Sequence, residues 1–79
     1  MITAVRINSK EQFDIVVDYN DSNGFKMIGG VNHIYHVNRN CVEIGSHFQC
    51  FNEWLSPLSF DRHIISFTAF EAACLTLMN

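Results

Sequence analysis

Basic residues are scarce in this sequence. The chain of 79 residues carries five Lys and Arg against eight Asp and Glu, which gives a formal net charge of −3. The five basic residues are scattered, so no two of them form a patch by proximity along the chain. Proteins that bind a phosphate backbone need clustered Lys and Arg. The sequence therefore argues against direct binding of nucleic acid.

Long apolar runs and an even number of cysteines are also missing. No stretch approaches the roughly 18 uninterrupted apolar residues of a membrane span. The chain starts with Met1-Ile2-Thr3 and continues into mixed polar sequence, without the apolar core of a signal peptide. Three cysteines do not suit the disulfide framework of a small secreted protein. We therefore expect a soluble cytoplasmic protein with free thiols and no contact with a membrane.

Apolar residues make up 48% of the chain and include seven Phe, two Tyr and one Trp. This is enough apolar surface for the core of a single domain over residues 1–79. A chain this short does not also hold a deep substrate cleft. Gly29 and Gly30 lack the spacing of a phosphate-binding loop. We expect neither an enzyme nor a cofactor.

A strand and a helix open the chain. Residues 2–7 are rich in β-branched side chains, which favours a strand. Ser9 and Gln12 match a capping box, in which the serine oxygen accepts from the first turn and the glutamine reaches back to the cap. Gly24 ends the helical pattern, because glycine readily takes the left-handed conformation beyond a helix end. We predict a helix over residues 10–23.

Short strands and a second helix follow. Apolar and polar residues alternate, and turn residues separate strands predicted over residues 31–37, 41–44, 47–51 and 63–66. One face of the first of these would carry Val31, His33, Tyr35 and Val37. Thr68 and Glu71 match a second capping box, which would open a C-terminal helix. The sequence predicts an α+β fold: a small antiparallel sheet of four to five short strands with two helices, in the order β-α-β-β-β-β-α.

Five possible zinc ligands lie within eighteen residues: His33, His36, Cys41, His47 and Cys50. Zinc favours such nitrogen and sulfur ligands. On a strand, however, residues three apart point to opposite faces, and neither the His-x-x-His nor the His-x-x-Cys pair spans a Gly or Pro turn. We therefore predict no metal site. A zinc-binding or nucleic-acid-associated regulatory module is the alternative interpretation.

Four acidic residues are spaced by three, four and three positions along the first predicted helix: Glu11, Asp14, Asp18 and Asp21. This spacing places them on one helix face, away from its apolar residues. Neighbouring like charges there destabilise a helix by about 0.2–0.5 kcal/mol per pair. The face is either ordinary solvated surface or a surface that docks on a basic partner, such as one that normally holds nucleic acid.

A second candidate surface is the loop over residues 52–61. It holds Trp54, further large apolar residues and the only proline of the chain. Such a loop either folds over the core or anchors an interface. An exposed Trp54 would be a candidate hot spot for binding.

Three stretches resemble small accessory proteins of tailed bacteriophages: Ser-Lys-Glu-Gln-Phe-Asp-x-Val-Val-x-Tyr, Asn-Gly-Phe-Lys and Ile-Ile-Ser-Phe-x-x-Phe. The resemblance covers most of the chain in pattern. It implies a protein that acts early in infection by binding and blocking a host enzyme. Transcription machinery, nucleases and defence complexes such as CRISPR effectors are the partners it implies, the last as targets of anti-CRISPR proteins.

Together these features predict a non-enzymatic protein that binds and inhibits or modulates a host protein complex. The acidic helix face is the predicted contact surface, and Trp54 is the second. A self-associating structural module, which forms a homodimer through a sheet edge or a loop, is a further alternative.

Overall fold

The computed structural model of the chain describes residues 2–28, 35, 37, 39–54 and 62–78. Residues 75–78 are described by their backbone alone. The elements in these ranges are β1 (Ile2–Arg6), α1 (Lys10–Ser22), β2 (Lys26–Met27), β3 (Cys41–Ile44), β4 (His47–Phe48), β5 (Cys50–Phe51), β6 (Arg62–Ser66) and α2 (Phe67–Met78). The predicted α+β class and element order are confirmed. Neither of these helices is long and apolar enough to cross a membrane.

Four strands form one mixed sheet in the order β5-β3-β1-β6. β1 pairs antiparallel with β3 and parallel with β6, so that Ala4 lies between Glu43 and Ile64. β2 and β4 form a separate parallel pair. The sheet predicted from the sequence is wholly antiparallel, and these two parallel pairs correct it. β1 and β6 run in the same direction, and each is followed by a helix. Both helices therefore begin at the same edge of the sheet.

The strand predicted over residues 47–51 is divided at Gln49. β4 pairs with β2, whereas β5 pairs with β3. Gln49 still bonds to β3, because its carbonyl accepts from Glu43 N–H at 3.0 Å and its own N–H donates to the Glu43 carboxylate at 3.2 Å. The residues of one predicted strand thus form two short strands, β4 and β5, which belong to different sheets.

α1 begins and ends close to the predicted positions. The Ser9 hydroxyl accepts a hydrogen bond from Gln12 N–H at 3.2 Å, as an N-cap residue does. The capping box predicts that the Gln12 side chain reaches back to Ser9. Instead, its oxygen accepts from Asn8 N–H at 2.9 Å. At the other end Gly24 has a φ of 75°. Its N–H and that of the next residue donate to carbonyls of the last turn, which forms a Schellman motif.

α2 begins earlier than its predicted capping box. The helix starts at Phe67, and the Ser66 hydroxyl accepts from Ala69 N–H at 3.1 Å. Ser66 is also the last residue of β6, so the strand passes directly into the helix and its final side chain serves as the cap. Thr68 and Glu71 therefore lie inside the helix, and their prediction as the start of α2 is wrong.

The first strand predicted after α1 is wrong at both of its positions that the structure describes. Tyr35 and Val37 lie outside any strand. The Tyr35 ring packs 5.8 Å from the Phe13 ring, between centroids, whereas Val37 is 74% exposed. These two residues thus do not share a buried face. Val31 and His33 of that predicted face lie outside the described residues.

Each face of the main sheet has its own apolar cluster. The larger cluster joins strands to both helices through Val5, Ile7, Phe13, Val16, Val17, Val42, Phe48 and Phe70. The smaller cluster contains Ala4, Cys41 and Phe51. Neighbouring residues of a strand point to opposite faces, so the two clusters lie on opposite sides of the sheet. Both helices therefore cover the same side.

Buried polar groups connect the elements. Glu43 and Asn20 are 3% and 0% exposed. The Glu43 carboxylate accepts from Arg62 Nε at 2.7 Å, and the Arg62 guanidinium lies 3.9 Å from the centroid of the Phe51 ring. The Asn20 side chain donates to the Glu43 carbonyl at 3.1 Å and accepts from Gly45 N–H at 3.3 Å. These bonds fix the end of α1 against the end of β3.

We expect Glu43→Gln to lower the free energy of unfolding by about 1.5–3 kcal/mol, because it replaces the charge-assisted hydrogen bond between the Glu43 carboxylate and Arg62 with a neutral one. The double variant Glu43→Leu, Arg62→Met removes both charges and should recover most of that loss. Urea unfolding followed by circular dichroism measures both values. A loss below about 1 kcal/mol in Glu43→Gln would contradict the buried ion pair, since that is the range of exposed pairs.

Candidate functional site

Four carboxylates lie on the solvent-facing side of α1, where their spacing predicts them. Glu11, Asp18 and Asp21 are exposed, and Asp14 is partly exposed. Lys10 Nζ lies 2.8 Å from Asp14 Oδ2. Both side chains of this ion pair are exposed to solvent, and Lys10 neutralises the charge of one carboxylate. α1 therefore presents an acidic face, defined here by these four carboxylates.

A groove of about 320 Å³ runs between α1 and α2. Its lining includes Ile15, Asp18, Tyr19, Phe70, Glu71 and Cys74. The rings of Tyr19 and Phe70 contact each other edge to face, with centroids 5.3 Å apart, and so join the two helices. Asp18 belongs both to the acidic face and to this groove. Sequence reasoning missed the groove because nothing in the local patterns shows that α2 lies beside α1.

A second hollow, of about 470 Å³, lies where β1 and β6 end and both helices begin. Among its described lining residues the single charged one is Arg6. Arg6 is already engaged, because its guanidinium donates to the Glu53 carboxylate at 2.9 and 3.1 Å. The side chain of Ser66, which also lines the hollow, caps α2. These groups serve the fold, so we place the candidate site on the helices.

Trp54 is 78% exposed, which favours the interface interpretation of this residue over packing on the core. The backbone beside it is firmly held. Asn40 donates to the Glu53 carboxylate and accepts from Glu53 N–H, both at 3.0 Å, and Trp54 N–H donates to Asn52 Oδ1 at 2.8 Å. The hydrogen bonds from Arg6 lower the pKa of Glu53 below its ordinary value. Residues 55–61 of the predicted loop lie outside the described residues.

The histidine and cysteine cluster does not come together as one site where the structure describes it. Cys41 lies in the smaller apolar cluster, whereas Cys50 packs against the larger one, so their thiols lie on opposite faces of the sheet. His47 is exposed. No group of three or more possible metal ligands forms within the described residues. His33 and His36 lie outside them.

The cysteines are poorly suited to act as nucleophiles. Burial raises the pKa of Cys41 and of Cys50 to about 11, and it also raises the pKa of Cys74. Near neutral pH these groups are thiols, whereas the attacking form is the thiolate. The three side chains are better suited to packing than to covalent catalysis.

Acid should release the contact between Glu53 and Arg6. Because the pKa of Glu53 is lowered in the fold, the contact stabilises the protein above the unfolded pKa of about 4.3. That contribution is lost as the pH falls through the lowered pKa of the folded state. Trp54 is the only tryptophan, so its fluorescence should change in this acid range. Glu53→Gln should lack the change, and an identical acid step in that variant would contradict the assignment.

We expect protein purified without a histidine tag to contain zinc far below one equivalent per chain, because Cys41 and Cys50 face opposite sides of the sheet. Elemental analysis by mass spectrometry measures the ratio. About one zinc per chain, lost in the double variant Cys41→Ser, Cys50→Ser, would contradict the separation of the two thiols.

Comparisons of the chain with protein-family models, curated proteins and solved structures found no match. Function is therefore inferred from the charges, burial and geometry of the chain itself. Within the described residues, these favour the acidic face of α1 over a metal site built from Cys41 and Cys50.

Proposed function

We propose that this protein is a non-enzymatic binding module that occupies a basic surface of a partner protein and so inhibits or modulates that partner. The observation that carries the proposal is the acidic face of α1. It leaves four carboxylates at the surface with Lys10 as the one basic residue within the helix. The resemblance to phage accessory proteins supports a host protein complex as the partner.

The spacing of these charges suits a surface that normally holds nucleic acid. Glu11 and Asp21 are ten residues apart, which is about 15 Å along a helix. Four carboxylates over that length give about one charge per 5 Å, compared with about one phosphate per 3.4 Å along each strand of DNA. The face therefore offers a sparser but rigid row of negative charge.

The rest of the molecule keeps this face rigid and outward. The opposite side of α1 is buried through Phe13, Val16 and Val17, and Asn20 fixes its last turn to β3. The helix backbone that carries the carboxylates therefore needs little further ordering on binding, which lowers the entropic cost of association. Trp54, exposed and beside a firmly held backbone, is the second contact in this proposal.

Self-association is the competing proposal that one feature favours. Within the described part of the chain β6 is an outer strand of the main sheet, and outer strands can pair with a strand of a second copy. The acidic face does not take part in such a contact. A charge change on α1 therefore distinguishes the two proposals.

We expect the double variant Asp14→Lys, Asp18→Lys to weaken binding of the partner at least about tenfold at low salt. The formal charge rises from −3 to +1, since two acids are lost and two bases are gained. The affinity that remains should depend less on salt, because fewer charge pairs form. The partner is recovered by pull-down from host lysate and identified by mass spectrometry, and its affinity is then measured by calorimetry at several salt concentrations.

Asp14→Glu, Asp18→Glu is the matched control, since it keeps both charges in place, and it should bind like the original chain. Unchanged affinity in the lysine variant would remove the acidic face from the binding surface. Light scattering at two concentrations shows in addition whether the chain is a dimer and whether the lysine variant alters that state.

A further inference from the structure

The groove between α1 and α2 leaves one large apolar side chain exposed, Ile15, which belongs to neither apolar cluster. Ile15 is 39% exposed although it lies in the middle of α1. Tyr19 of α1 and Cys74 of α2 are partly exposed and pack against the larger cluster, whereas Phe70, a member of that cluster, is only 4% exposed. Ile15, Tyr19 and Cys74 are therefore the apolar side chains that a second molecule can reach in this groove.

The charged residues of the groove have one sign. Asp18 lines it from α1 and Glu71 from α2, and none of its described lining residues is basic. An occupant that buries its apolar side chains in the groove thus brings its flanking residues close to two carboxylates. Lys or Arg at those flanking positions would make favourable contacts, whereas acidic residues there would be repelled.

Repulsion between like charges disfavours a second copy of this chain as the occupant. Each copy carries a formal charge of −3, and pairing through the grooves would bring Asp18 and Glu71 of both copies together. The occupant is therefore a different protein, with positive charge beside its apolar residues.

The dimensions suit a helix as the occupant. Along α1 the lining extends from Ile15 to Ser22, which is about 10 Å or two helical turns. On a helix, apolar residues spaced by three or four positions form a stripe of this length. A stripe laid between two helices is a common mode of peptide recognition.

We propose that this groove binds a basic amphipathic helix of the partner, whose apolar stripe contacts Ile15, Tyr19 and Cys74 and whose Lys or Arg residues contact Asp18 and Glu71. This inference rests on the proposed function and assigns the acidic face a specific partner class. It differs from charge attraction alone, because it requires an uncharged residue, Ile15, for binding.

The test uses a fluorescent peptide of about 16 residues, long enough for helix formation, with Leu at helical spacing and Lys on both sides of the Leu stripe. A scrambled peptide of the same composition, with no stripe, is the control ligand. Fluorescence anisotropy measures binding of both peptides to the full chain and to three variants: Ile15→Gln, the pair Asp18→Asn with Glu71→Gln, and Glu11→Gln. Glu11 belongs to the acidic face but does not line the groove.

We expect the amphipathic peptide to bind at least about tenfold more tightly than the scrambled one. Ile15→Gln and the groove double variant should each weaken it by about tenfold, whereas Glu11→Gln should weaken it less than about threefold. The bound peptide should also slow alkylation of Cys74 by iodoacetamide, followed by peptide mass mapping. Cys41, which is buried, provides the internal reference and should react slowly with or without peptide.

Equal binding of the two peptides, or equal weakening by Glu11→Gln and Ile15→Gln, would overturn the groove as the site. Absence of protection at Cys74 would overturn it as well. Those results would leave the proposed function standing, because Asp14→Lys, Asp18→Lys tests the acidic face against the partner itself.

Discussion

The parallel pairing of β1 with β6 is the contact on which the rest of the structure depends. Its register sets Ala4 opposite Ile64 and Arg6 opposite Ser66, so both strands end at the same edge of the sheet. α1 starts four residues after β1, and α2 starts at once after β6. Both helices then pack on one side of the sheet, where Phe13 and Phe70 join the same cluster. The groove between the helices is a consequence of this pairing.

A buried polar network fixes the orientation that the pairing allows. Asn20 bonds α1 to the end of β3, and Glu43 bonds β3 to Arg62 on the far side of β1. Ala4 lies between Glu43 and β6 in the sheet, and its small side chain is compatible with the ion pair that spans β1. Because one side of α1 is committed to the core and to Asn20, its four carboxylates remain at the surface. The contacts that hold α1 on the sheet thus also keep its carboxylates at the surface.

Local sequence signals predicted the parts of the fold that local chemistry determines. Ser9 and Gly24 bound α1 correctly, and the spacing of Glu11, Asp14, Asp18 and Asp21 correctly placed them on one side. The direction of β6 relative to β1 was not predictable, because strand pairing joins residues about sixty positions apart. The Thr68 cap failed for a related reason, since Ser66 caps α2 only because β6 runs into it directly. The groove depends on that pairing and was therefore missed.

The central claim is that the two helices together, rather than charge on α1 alone, form the binding surface. Backbone amide shifts of isotope-labelled protein, recorded while the amphipathic basic peptide is added, test this most directly. The largest changes are expected from Ile15 to Ser22 in α1 and from Phe70 to Cys74 in α2. Changes confined to the region around Glu11 and Asp14, or centred on Cys41 and Glu43 across the sheet, would contradict it.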